Sequence, residues 1–188
     1  MLTRIFLLAV IAAASALRIP VVVSRRAAVA GATAAAIGLA PANAALKPCP
    51  SGANNCWSSA STDKTKLSTW TWPSSTSRTA AMADLRAALQ AYPQEGQGGV
   101  DLGGWTLVED TPSYQRVEFR SGIGNFAKFF NGGKPFVDDL EFSIEETTVG
   151  VRSSSRVGDS DFGVNGKRLN YIAAELAKKG WDAKGVAL

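Results

Sequence analysis

Apolar residues recur along this chain with two different periods. Met82, Leu85, Leu89 and Tyr92 return at helical spacing, which predicts a helix over Thr79–Ala91. Ser77 or Thr79 supplies its cap and Pro93 its stop. Beyond the glycine-rich stretch Gly96–Gly99, period two takes over. Trp105–Val108 and Tyr114–Arg120 flank a turn at Thr111-Pro112-Ser113. In the second of these strands Gln115, Val117 and Phe119 face one way, and Arg116, Glu118 and Arg120 the other. A second hairpin runs through Phe136–Ile144 and Val149–Val157, around Glu145-Glu146-Thr147-Thr148. Leu169, Ile172 and Leu176 mark a last helix that starts at Asn165, read as its cap, and ends at Gly180. Lys178 and Lys179 suit its C-terminal end. Upstream, Ser58–Ser77 reads as an irregular, partly extended segment. Trp70 and Trp72 lie on one side of a short strand that Pro73 ends. Phe126, Phe129 and Phe130, set among glycines, form either a short helix packed on the core or an exposed apolar lip. The fold class expected is α+β, an antiparallel sheet of about four or five strands with two helices on one face.

The second hairpin fixes its own register. Placing Ile144 opposite Val149 puts Phe142 opposite Val151 and Leu140 opposite Ser153, which makes one apolar face. On the other face Glu141 opposes Arg152, Val137 opposes Arg156, and Asp139 lies diagonal to both arginines. Opposite charges across strands contribute about 0.2–1 kcal/mol per pair. Arg152 and Arg156 therefore read as cross-strand partners of Asp139 and Glu141. The functional alternative is an anion or carboxylate site, with both guanidiniums presented on one face. Alternation sends Asp138 to the face opposite Asp139 and Glu141, which splits any acid/base pair.

Charge is unevenly spread. The first 44 residues hold four basic side chains (Arg4, Arg18, Arg25, Arg26) and no acid. Taking those four from the total of 20 leaves 16 basic against 16 acidic residues, so the remainder is formally neutral. The basic balance belongs to the leading segment and is no argument for a nucleic-acid partner. Residues 1–16 read as a secretory signal, with Arg4, the apolar run Ile5–Ala14 and a small-residue site at Ala14-Ser15-Ala16. Residues 17–44 read as a second targeting unit. There Ser24-Arg25-Arg26 precedes a weakly apolar stretch that ends at Ala42-Asn43-Ala44, the pattern of twin-arginine export. The alternative is retention as a membrane anchor, for which Gly31, Gly38 and the many alanines are poorly suited. The junction Ala14-Ser15-Ala16-Leu17 resembles the import motif of plastid precursors in algae with secondary plastids, which carry Phe where Leu17 stands. That resemblance implies passage through the secretory route and the plastid into the thylakoid lumen, with residues 45–188 as the mature domain.

Cys49 and Cys56 are the two cysteines, separated by Pro50, Gly52 and two asparagines that favour turns. They read as a disulfide, which an exported compartment permits, with free structural thiols or a regulatory redox pair as the alternatives. The chain has no histidine, which removes the usual Ser-His-Asp and Cys-His mechanisms and nearly excludes a zinc site. Asp159-x-Asp161-x-Gly163-x-Asn165 only faintly resembles a calcium loop, since Val164 and Asn170 stand where an EF-hand requires Gly and Glu. Asp161 and Asn165 read instead as turn caps that position the last helix. No metal or cofactor is expected.

Three sequence elements carry a family resemblance. They are Cys49-Pro50 with Asn55-Cys56-Trp57-Ser58-Ser59, Phe136-Val137-Asp138-Asp139-Leu140-Glu141-Phe142, and the run from Arg152 through Arg156, Gly158, Ser160-Asp161, Gly163 and Asn165 to Arg168. Together they resemble the domain of unknown function 1499 family. Asp159 and Gly166 depart from its common pattern. Membership implies a small exported or membrane-associated domain and no established activity, substrate or cofactor. It marks Asp138, Asp139, Glu141, Arg152, Arg156, Asp161, Asn165 and Arg168 as motif positions and as the candidate anion or partner site, without assigning roles. The expected function is that of a non-enzymatic accessory protein of the thylakoid lumen. It would be peripheral to a photosynthetic membrane complex such as a photosystem, in a structural or assembly role. A soluble carrier of a hydrophobic ligand, lipid or pigment, is the second expectation, and an enzyme using the arginine/carboxylate cluster the third.

Overall fold

A computed structural model of the chain describes residues 45–96, 102–121 and 129–188. The leader residues Arg25, Arg26 and Ala44, and Phe126, lie outside this described set. The elements in chain order are β1 (Cys56–Ser58), β2 (Trp70–Thr71), α1 (Arg78–Ala91), β3 (Trp105–Asp110), β4 (Tyr114–Arg120), β5 (Val137–Ile144), β6 (Thr148–Ser155) and α2 (Val164–Ala177). All strand pairings are antiparallel, in the order β1-β6-β5-β4-β3, with β2 also pairing with β6. The sheet thus has six strands rather than four or five, because two short edge segments of three and two residues join it.

Alternation along the strands decides which face is buried. Val117 and Phe119 of β4, Leu140, Phe142 and Ile144 of β5, and Val149 and Val151 of β6 point to one side and are almost wholly buried. Against them pack Leu85 and Leu89 of α1 and Leu169, Ile172 and Leu176 of α2. Helical periodicity supplies these stripes, and non-directional burial of apolar area holds both helices to that face. The hairpin register is the one alternation requires, with Ile144 opposite Val149, Phe142 opposite Val151 and Glu141 opposite Arg152. In β3 the alternation breaks at Val108, where a bulge lies between Leu107 and Glu109.

Ser77 caps α1, its hydroxyl accepting from the Ala80 amide at 3.2 Å. The start of α2 differs from expectation. Asn165 is not its cap but lies inside the first turn and is fully buried. The cap position is Gly163, held at φ +73°, where a side chain would be strained. Asp161 replaces the missing cap side chain, accepting from the Gly163 amide and the Asn165 amide, each at 2.9 Å. Past α2, Gly180 turns the chain at φ +84°, and residues 181–186 run back along the domain. Trp181 lies 5.7 Å from Trp72, ring to ring.

Cys49 and Cys56 are bridged by a disulfide, with Cα atoms 5.7 Å apart. The bridge ties the first described segment to β1. Leu46 of that segment lies 3.0 Å from where a Cβ on Gly150 would stand, so glycine there leaves room for it on β6. Phe129 and Phe130 are 81% and 66% exposed. Core packing is thereby ruled out for both, which form a lip.

Candidate functional site

The motif residues separate into two polar clusters, back to back across β5 and β6. The division follows from period two: Asp138 and Ser153 point toward the helices, while Asp139, Glu141 and Arg152 point away.

The inner cluster is built around Arg168, one helical turn into α2 and fully buried. Its guanidinium donates to Asn165 Oδ1 at 3.0 Å and to Asp138 Oδ2 at 3.2 Å. Its central carbon lies 3.9 Å from the centroid of the Phe119 ring, a cation–π contact inside the core. Ser153 donates to the same Asn165 Oδ1 at 2.5 Å. The Asn165 amide group donates to Asp161 Oδ2 at 2.8 Å and to Ser155 at 3.1 Å. Asn55 joins from the other side, its side chain donating to the Gly158 carbonyl and its carbonyl accepting from the Ser155 amide. Buried charges persist only when paired and hydrogen-bonded, and every member of this cluster is engaged. Its effect is to pin β1, β5, β6 and the start of α2 to one another.

The outer cluster is an ion lattice on the open face of the sheet. Arg152 donates to Glu141 Oε2 at 2.5 Å, and the Tyr114 hydroxyl donates to the other oxygen of Glu141 at 2.7 Å. Arg156 grips Asp139 with two bonds of 2.7 and 2.8 Å and also reaches Glu118. Arg116 bridges Glu118 and Asp139 at 3.0 and 3.1 Å. The hydrogen bond from Arg156 holds the Glu118 carboxyl below its ordinary range. Burial pushes the Asp139 carboxyl up, but the bonds from Arg156 and Arg116 outweigh it and hold it low. Bonds to Asp139 and then Glu118 hold the Arg156 guanidinium charged. Burial, and then the Glu141 carboxylate it donates to, push the Tyr114 phenol well above its ordinary value.

This lattice has little to offer acid/base chemistry. A general base works best with a pKa near the operating pH, and Glu118 and Asp139 are displaced the other way. Among the described residues no set of three potential metal-ligating side chains of His, Cys, Asp and Glu type comes together. Alternation had already grouped Arg116 and Glu118 on the polar face of β4. What it left out was that β4 lies beside β5, which sets their distance to Asp139. Tyr114 carried no polar signal in the sequence; Asn55 and Ser153 lie inside the motif elements, but their partners were not legible, because they come from other strands, from a distant turn or from α2.

Strand order, bridged cysteines and paired clusters define an α+β fold whose motif side chains bond to one another across β4, β5, β6 and the start of α2. The chain belongs to the DUF1499 family of proteins of unknown function, whose model matches residues 45–176. Neither the comparison with curated proteins nor that with solved structures returned a match.

Proposed function

We propose that this protein is a non-enzymatic accessory protein of the thylakoid lumen, peripheral to a photosynthetic membrane complex. The observation that carries the reading is the internal engagement of the motif. Asp138, Asp139, Glu141 and Asp161 each accept hydrogen bonds from this chain's own arginines, tyrosine or amides. A motif bound up in this way holds a shape and leaves function to surfaces. The tandem leader pattern of residues 1–44 supports the compartment. The enzyme reading draws less support, since its arginines are already bonded to the carboxylates they would need to activate.

A hydrophobic-ligand carrier also finds less support. The interior is occupied by interlocking rings, such as Trp70 with Phe142 at 6.0 Å and Tyr92 with Phe119 at 5.5 Å. A groove of about 440 Å³ beside Ala173, Ala177 and Val186 is open rather than enclosed, whereas ligand pockets bury most of their occupant.

The test is separation of detergent-solubilised thylakoid complexes on native gels, followed by mass spectrometry. The expected result is a protein beginning near Ala45 that migrates with a photosystem-sized complex. Migration as a free monomer in every detergent would sink the accessory role.

A further inference from the structure

Among the described residues seven large apolar side chains are exposed, and five of them lie in connections between elements. These five, Leu102, Phe129, Phe130, Val157 and Phe162, are 49%, 81%, 66%, 44% and 70% exposed; the other two are Val108 within β3 and Leu188. Antiparallel order brings the start of β3, the end of β4, the start of β5 and the end of β6 to one end of the sheet. Leu102 precedes β3, Phe129 and Phe130 lie between β4 and β5, and Val157 and Phe162 lie between β6 and α2. All five therefore belong to connections at that end. At the other end lie the short turns 111–113 and 145–147 and the 72–77 connection into α1.

Phe162 is held outward at a cost. Among the described residues it is the one non-glycine residue with positive φ, at +56°, a region that bulky side chains rarely adopt. Its neighbour Asp161 fixes that turn through the Gly163 and Asn165 amides. Strain of this kind persists only where the surroundings impose it, and here it yields no burial of the ring. Phe129 and Phe130 meet edge to face at 5.6 Å while both remain largely exposed.

Charge is polarised along the same axis. The 121–136 connection holds two lysines and no acidic residue. Lys134 and Arg120 are exposed at this end of the sheet. Among the described residues of these connections two acids, Glu95 and Asp159, lie exposed. The opposite end carries exposed Glu109, Asp110, Glu145 and Glu146 against two arginines, Arg86 bonded to Asp110 and Arg78 bonded to the Pro112 and Ile144 carbonyls, so acids still outnumber bases there. An anionic surface would draw the apolar end toward itself and repel the other.

We propose that this end of the sheet docks on a lipid bilayer bearing anionic headgroups, with Phe129, Phe130 and Phe162 entering the interface and Lys134 and Arg120 facing the headgroups. Several aromatic side chains at a shared level, flanked by cations, suit the acyl–headgroup boundary. The inference deepens the reading of a membrane-peripheral protein by naming lipid as what this surface touches.

The test uses the full chain. Its two cysteines are bridged, so a cysteine introduced elsewhere is a single site for an environment-sensitive fluorophore. Phe130→Cys, Phe162→Cys and, as the opposite-end control, Glu146→Cys are labelled. Each is mixed with vesicles of phosphatidylcholine alone or with phosphatidylglycerol. The expected result is a blue shift and quenching by a lipid-borne quencher at 130 and 162, on the anionic vesicles, with 146 remaining in water. The leader cannot mimic this, because the readout is local to each label. Phe129→Ser with Phe130→Ser weakens the vesicle-dependent signal at 162 by about tenfold or more, and Lys134→Glu weakens it by about fivefold. Both sites are exposed, and unchanged thermal melting shows that the variants are folded. Labels at 130 and 162 that stay in water on anionic vesicles overturn the proposal. So does burial of those labels only when detergent-solubilised thylakoid protein is added, which assigns the surface to a protein partner. Water-exposed labels in a protein that still migrates with a complex leave the accessory role standing. Lipid-buried labels in a protein that migrates with no complex do the reverse.

Discussion

Arg168 has no exposed surface, and Asp138, Asn165 and the Phe119 ring are among the groups that make its position tolerable. Removing one partner of a buried ion pair leaves the other charge uncompensated, at a cost of about 3–5 kcal/mol. Arg168→Met keeps the volume and the stacking on Phe119 while deleting the charge. It is expected to destabilise the domain by that amount. Asp138→Leu combined with Arg168→Met removes both charges, and this double variant should be more stable than Arg168→Met alone. Chemical denaturation of the four proteins closes the cycle, with a coupling of about 1 kcal/mol or more expected for groups in contact. Additive effects would mean that Arg168 does not depend on Asp138 for its place. The same residue shows where reading the chain reached its limit. Alternation placed Asp138 on the helix side, but nothing local told that Arg168 would come from α2 to meet it, thirty residues on.

At the scale of elements, the open face of β4, β5 and β6 is a brace made of charge. Glu118 and Asp139 both have folded-state pKa values below their ordinary values of 4.5 and 3.8. For such groups the contribution to stability is complete above the ordinary value. It is lost as pH falls through the lower folded value, where the unfolded chain already binds protons. Stability should therefore decline in acid below about pH 4.5. Glu118→Gln with Asp139→Asn should be less stable at neutral pH and should show a flatter acid limb. Thermal melting across pH checks this, and parallel limbs in the two proteins would remove the lattice from the account. Arg156 is 42% exposed in its side chain, so added salt should weaken the brace. The β5–β6 register was legible because a one-residue slip would turn Leu140, Phe142 and Ile144 into solvent. Less was legible at the start of α2. Asn165 has the chemistry of a cap, yet Asp161 caps from outside the helix and frees Asn165 to enter the inner cluster. Nor could composition decide the Phe129–Phe130 pair, since glycine-flanked aromatics suit a core and a lip equally well.

For the molecule as a whole, the fold extends beyond the stretch matched to the family. That match ends at residue 176, but the chain beyond it is woven into the domain. Thr71 and Asp182 exchange backbone hydrogen bonds at 3.1 and 2.9 Å. The Trp70 indole donates to the Lys184 carbonyl at 3.0 Å, and Asn170 both donates to the Val186 carbonyl and accepts from its amide. Trp181 is 4% exposed, packed on Trp72 and donating to Asp84 of α1. These contacts close the side of the domain where β2 holds only two residues of ladder, so the tail does for that edge what a longer strand would otherwise do. Deleting residues 178–188 exposes Trp70 and Trp72 and leaves the Trp70 N–H without its acceptor. Loss of one buried tryptophan side chain alone costs about 3–5 kcal/mol. A chain ending at Ala177 should accordingly lose at least about 3 kcal/mol against the chain ending at Leu188, with a red-shifted tryptophan emission before any denaturant is added. Trp181→Ala in the complete chain should reproduce part of the loss without shortening anything. Equal denaturation midpoints for the complete and shortened chains would show that the tail rests on a domain already stable without it. The stability of the two-residue β2 edge would then have to come from Trp70 packing on Phe142 alone.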